Sequence, residues 1–152
     1  MTARDLNDFA APPAEYLRRM TDNDHYTRWL GLEILKIDKG YCKLRYVLRE
    51  DMQNGFGMAH GGILFGASDS AFAFASNSYG NLSVALDVTI SYLKPGKTGD
   101  VLTVEATEEH RGRKTALYRI TTRNQDDEKI CVFTGTVYRT GKEILETQAK
   151  QP

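Results

Sequence analysis

Residues 54–78 read NGFGMAHGGILFGASDSAFAFASNS, and this stretch decides the fold. From His60 to Tyr79 the segment carries Ala, Phe, Leu and Ile on every side, and Gly80 supplies a stop, so it reads as one helix that is apolar all round. Such a helix is enclosed rather than laid on a surface, and something must wrap it. The wrapping material flanks it on both sides. Before it, Leu30 to Ile37 and Tyr41 to Leu48 surround Asp38-Lys39-Gly40 and predict a hairpin. After it come four strand candidates rich in Val, Ile, Thr and Tyr, near Ser83 to Leu93, Asp100 to His110, Arg113 to Arg123 and Lys129 to Arg139. Their separators are turn-like and short, which predicts antiparallel pairing of consecutive strands. The expected fold is α+β, a long antiparallel sheet wrapped around one central helix.

The ends are organised differently. Residues 1–24 are expected to form an N-terminal tail with a helix near Ala14 to Asn23, residues 25–140 the domain proper, and residues 141–152 a frayed charged tail. At 152 residues the chain fits one domain, able to bury about 68–70% of the surface its unfolded form exposes. Its 20 basic and 20 acidic side chains cancel. No overall field therefore draws it to nucleic acid or to an anionic membrane, and phosphate recognition has to be local. Cys42 and Cys131 are too few for a disulfide framework or a zinc site, and no membrane-length apolar run is present. A cytoplasmic setting without metal is expected.

Within the central helix one residue stands out. Asp69 is the only formal charge between Glu50 and Asp87 other than Asp51. Gly61 and Gly62 open the helix, where the backbone can approach a ligand closely and several N–H groups point outward unpaired. Asp69 follows Gly61 by eight residues, about 12 Å along the axis, too far for one small reacting group to touch both. A two-fold dimer that brings Asp69 of one subunit to the Gly61 end of the other removes this obstacle. His60 suits either a catalytic base or a structural imidazole bonded to the loop backbone, and the structural role is preferred. Phe72 and Phe74 are assigned to the core. Gly135, inside the last strand, marks either a bulge or a close subunit approach.

Several spacings act together. Asn54 lies six residues before His60, His60-Gly61-Gly62 precedes Asp69 by nine residues counted from the histidine, and Asp69 begins the run DSAFAFASNS. Further on come Ser91 to Gly96 with Gly99-Asp100, and Arg111 to Thr115. Over roughly residues 25–140 these features resemble the hotdog-fold acyl-CoA thioesterases of the PaaI type, associated with phenylacetate degradation. The resemblance implies hydrolysis of acyl-CoA, with phenylacetyl-CoA or hydroxyphenylacetyl-CoA as substrate, by a homodimer or dimer of dimers without metal or organic cofactor. It also implies that Asp69 drives attack on the thioester, that the Gly61 amide polarises the carbonyl, and that Asn54 helps orient the reactants. Some animal relatives carry a serine near the position of Ala85, which cannot serve here. Asp69 can act as general base or as nucleophile, the former being preferred.

For the substrate, Phe56 and Met58 are candidates to line the acyl pocket, and Gly62 is a candidate substrate- or CoA-binding residue. Lys94, Arg111, Arg113 and Lys114 are candidates for the phosphates of coenzyme A. Two other activities share the fold: an acyl-CoA-binding module without turnover, which would not need Asp69, and a dehydratase using His60.

Overall fold

The computed structural model describes residues 8–148, and the parts of both expected tails beyond these limits lie outside the described residues. Two short helices come first, α1 (Pro13–Thr21) and α2 (His25–Leu30). They are followed by β1 (Glu33–Asp38), β2 (Tyr41–Val47), the central helix α3 (Gly61–Ser76), β3 (Asn81–Tyr92), β4 (Val101–Arg111), β5 (Thr115–Arg123), β6 (Lys129–Glu143) and a last turn of helix, α4 (Ile144–Gln148). The six strands form one sheet in the order β1-β2-β4-β5-β6-β3, antiparallel throughout. α3 touches all six, so the sheet wraps the helix in the expected hotdog arrangement.

Leu30, expected to open the first strand, ends α2 instead. Asp24 caps that helix by accepting from the Thr27 amide at 3.0 Å, and Gly31 closes it in the left-handed region at φ +73°. Six residues are too few for a helical period to stand out in the sequence, so only the cap and the stop could have announced α2. A second difference concerns pairing. β3 and β4 are consecutive but not neighbours: β3 joins β6 at the sheet edge, while β4 returns to lie beside β2. The stretch between them is therefore a crossover rather than a hairpin turn.

The core fills the space between α3 and the concave sheet face. Leu44, Tyr46, Val104, Tyr118, Ile120 and Phe133 are each 2% exposed or less. Phe72 meets Tyr118 and Phe133 at ring-centroid distances of 5.9 and 5.6 Å. Gly135 faces this ring directly, and a Cβ there would come within 2.6 Å of the Phe72 ring. The β6 register is regular at that point, with Gly135 opposite both Val88 and Tyr118. The glycine thus marks close approach of the helix aromatic to the sheet rather than a bulge.

The far end of α3 is stitched to the sheet by polar side chains. Asn77 accepts from the Ser83 amide at 2.8 Å and donates to the Ser83 carbonyl at 3.2 Å, while Ser78 accepts from the Gly40 amide at 2.7 Å. The described part of the N-terminal stretch, expected to be loose, is tied down here as well. The Phe9 amide donates to the Tyr79 carbonyl at 3.0 Å, and Asp8 pairs with Arg111 at 2.9 Å. Nor does the chain fray at Gly141: β6 runs on to Glu143, and Ile144 of α4 is buried.

Candidate active site at the start of the central helix

The segment leading into α3 is a small closed loop. Gln53 bridges Ala59, the Asn54 amide donates to the Met58 carbonyl at 2.7 Å, and the His60 amide donates to the Met52 carbonyl at 2.8 Å. The Asn54 side-chain oxygen accepts from the amides of Phe56 and Met58, at 2.9 and 3.2 Å. Two N–H donors fix which end of that carboxamide is oxygen, so its NH2 group is the part left for a ligand.

His60 is the N-cap of α3: its Nδ1 accepts from the Gly62 amide at 2.9 Å. This geometry requires an unprotonated Nδ1, so the imidazole holds the loop-to-helix junction. Replacing it with alanine is expected to cost about 1 kcal/mol of stability, and asparagine, a good cap, should restore most of it; urea unfolding of both variants is the check. The cap takes the Gly62 amide and leaves that of Gly61, which among the described residues donates to no protein acceptor.

Tyr92, near the end of β3, was not singled out from the sequence. Its hydroxyl donates to the Gly61 carbonyl at 2.9 Å, and its ring lies where a Gly61 Cβ would meet it at 3.1 Å. The tyrosine thereby holds the Gly61–Gly62 peptide, the one next along the chain from the free Gly61 N–H. Only the β3 register decides that Tyr92 reaches Gly61, so nothing local in the sequence signals it.

Beside this junction is a cavity of about 310 Å³, with Asn54, Met58, Gly61, Leu64, Tyr92 and Lys94 in its wall. A larger groove of about 480 Å³ lies on the outer sheet face among Lys43, Glu105 and Arg123, away from α3. The smaller cavity is the one that holds an unpaired amide next to apolar walls. Four residues expected to act together, Asn54, Met58, Gly61 and Lys94, do line it. Lys94 also pairs with Glu128 at 2.8 Å, both side chains being about half exposed.

Other expected residues fall elsewhere. Phe56 is 87% exposed at the loop tip and does not line the cavity within one subunit. Gly62 is exposed on the outward side of α3. Asp69 sits two turns along on the same uncovered side, and burial by its surroundings raises its pKa above the ordinary 3.8.

The basic turn expected to bind phosphates is at the opposite end of the sheet. Tyr92, which touches Gly61, pairs with Cys131, whereas Lys114 neighbours Arg139 and Tyr138. The seven residues between those β6 positions span about 24 Å. Arg111 is moreover engaged in the protein. It pairs with Asp8, and its guanidinium stacks on the Tyr79 ring at 3.8 Å beside Glu108. A cation already holding a carboxylate and an aromatic face anchors the N-terminal segment. Arg113 and Lys114 are exposed at the turn, with Lys114 5.8 Å from the Tyr138 ring centroid.

Among the described residues no group of three or more His, Cys, Asp or Glu is placed to hold a metal ion, and no helix is long and apolar enough to cross a membrane. Cys42 and Cys131 are free and buried, and burial pushes the Cys42 thiol up to about 12.

Residues 56–131 match the thioesterase superfamily. The chain is 38% identical to the acyl-coenzyme A thioesterase PaaI of Escherichia coli over 125 residues, 82% of this chain and 89% of that one. The solved structure of E. coli PaaI, from the phenylacetic acid degradation operon, superposes with a TM-score of 0.84 at 36% identity, covering 86% of this chain and 95% of that one. A Streptococcus mutans protein solved bound to acetyl-CoA gives a TM-score of 0.72 at 32% identity, over 74% of this chain and 90% of that one. Sequence and architecture agree over most of the length of both chains, and on that ground this chain belongs to the hotdog-fold thioesterase superfamily and is a thioester hydrolase.

Proposed function

We propose that the protein hydrolyses acyl-CoA thioesters, with aryl-acetyl groups such as phenylacetyl or hydroxyphenylacetyl preferred, at sites shared between two subunits. The observation that carries this reading is a separation. The free Gly61 amide opens α3 and the Asp69 carboxylate is exposed about 12 Å further along it, so the two halves of the chemistry come from different copies. β3 supplies a surface for the second copy. It is a 12-residue edge strand with Val84, Leu86 and Tyr92 about half exposed, and a long apolar edge of this kind invites pairing with another strand.

In this arrangement the thioester carbonyl rests against the Gly61 amide of one subunit, and Asp69 of the partner subunit takes a proton from water. The resulting hydroxide adds to the carbonyl carbon. The amide holds the oxyanion as it forms, and the C–S bond then breaks. The thiolate leaving group recovers the proton from Asp69, giving free CoA and the carboxylic acid. Burial around Asp69 makes its carboxylate a stronger base than a solvated one. Asn54 orients the reactants through its NH2 group, and Lys94, in the wall of the same cavity, is the cation assigned to the phosphates of CoA. A cytoplasmic setting accords with the two free thiols.

Thiol release from phenylacetyl-CoA, hydroxyphenylacetyl-CoA and linear acyl-CoAs tests the reaction. Turnover fastest with the aryl-acetyl thioesters is expected, whereas binding without release would make the protein a carrier. The shared site is tested separately with the double variant Val84→Lys and Leu86→Lys. Placing like charges along the edge should shift light-scattering mass toward the monomer and remove activity in parallel. An active monomer would refute the shared site.

A further inference from the structure

Helix α2 places two partly exposed aromatic rings beside α3. The rings of Tyr26 and Trp29 lie 6.3 Å apart with planes 24° from parallel, and both side chains are nearly half exposed. The cluster is built in place. α2 is joined to α3 through Thr27 Oγ1 and Ser70 Oγ at 3.3 Å, and the Arg49 guanidinium covers Trp29 at 5.1 Å while paired with Asp51.

Tyr26 lies directly on the α3 backbone. Gly66 is the contact point: a Cβ there would overlap the Tyr26 hydroxyl and come within 2.8 Å of its ring carbons. A glycine in mid-helix costs about 1 kcal/mol relative to alanine, and here it makes room for the ring. Asp69 is three residues further along, near enough for its charge to raise the Tyr26 pKa, after burial as the larger cause. The phenol therefore remains protonated and neutral at physiological pH, a flat apolar surface with one donor next to the expected base.

Resting on the thioesterase reading above, we infer that Tyr26 and Trp29 are specificity-determining residues, an aromatic ledge beside Asp69 that receives the acyl group and favours a planar aryl group over a flexible chain of similar size. An aryl ring gains face or edge contacts with both side chains. A linear chain gains only area and gives up rotational freedom to lie there.

Trp29 is the only tryptophan in the chain, so its emission reports on the ledge directly. The test compares kcat/KM for phenylacetyl-CoA and hexanoyl-CoA in wild type, Tyr26→Leu and Gly66→Ala. Tyr26→Leu removes the ring, and Gly66→Ala pushes an intact ring away, so the pair still decides the matter if one variant fails to fold. In either variant the aryl-to-linear ratio should fall about fivefold to tenfold. In an Asp69→Asn background, phenylacetyl-CoA should change Trp29 emission saturably and free CoA should not. A ratio unchanged in folded variants overturns the ledge even if hydrolysis is confirmed. Conversely, if the wild type releases no thiol from either thioester, hydrolysis fails and the titration alone decides: a Trp29 response weakened by Tyr26→Leu upholds the ledge, and an unmoved emission overturns it.

Discussion

Asp69→Ala is expected to lower kcat/KM for thioester hydrolysis by about 10²–10⁴-fold, the range for loss of a general base, in a protein that still folds and keeps the wild-type mass in solution. Little else changes, because Asp69 is exposed on α3 and, among the described residues, has no hydrogen bond or ion pair that holds the fold together. Steady-state thiol release together with light scattering checks this. A folded variant of wild-type mass with wild-type activity would remove Asp69 from the mechanism.

The raised pKa of Asp69 gives the same residue two pH signatures. In the wild type the acid limb of kcat/KM should rise with pH as the carboxylate ionises, with a midpoint above the 3.8 of an ordinary aspartate. For stability the sign runs the other way. With the folded pKa above the unfolded one, the folded state binds more protons between the two values. Stability is therefore fullest below the unfolded pKa and falls as pH rises through the folded pKa. Asp69→Asn should accordingly be somewhat more stable than wild type at neutral pH and lose that advantage below pH 3.8. The side chain is partly exposed, so solvent screening keeps the gain small. Urea midpoints at neutral and acid pH measure it, and a variant less stable than wild type at neutral pH would contradict the burial cause.

The largest stability effect is expected at Phe72. Its ring is 1% exposed and sits between Tyr118, Phe133 and the bare backbone of Gly135. Phe72→Ala should cost about 3–5 kcal/mol, roughly 6–20 °C in Tm for a chain of this size. Gly135→Ala should cost about 1–3 kcal/mol by overpacking, since the new methyl group meets a flat ring that cannot fold aside. The two are coupled. In a Phe72→Leu background the Gly135→Ala penalty should shrink, and a double-mutant cycle by thermal unfolding measures the difference. Strict additivity would show that Gly135 serves some purpose other than admitting the ring.

Much of this architecture was readable before any coordinates. The apolar run from Ile63 to Phe74 and the turn at Lys39-Gly40 are local signals, and each acts through the backbone conformation or burial of the residues that carry it, whereas α3 ends at Ser76 with Asn77 as its C-cap, short of the expected stop at Gly80. The spacing of His60, Gly61 and Asp69 is equally local, because helix geometry converts sequence separation into distance. α2 escaped notice because one turn of helix is held by its cap and its docking, with too few residues to show a period.

What the sequence by itself determined was therefore the set of elements, the buried helix and the distance between the glycine amide and the carboxylate. The tertiary structure alone decided that β3 lies beside β6 and forms an edge, that Tyr92 thereby reaches Gly61, that Tyr26 lies on Gly66, and that Arg111 is held by Asp8 across 103 residues. The physical reason is that strand order and long-range contacts are fixed by how all the apolar faces pack together. No short stretch encodes that outcome, whereas helix, turn and cap are settled within a few residues of one another.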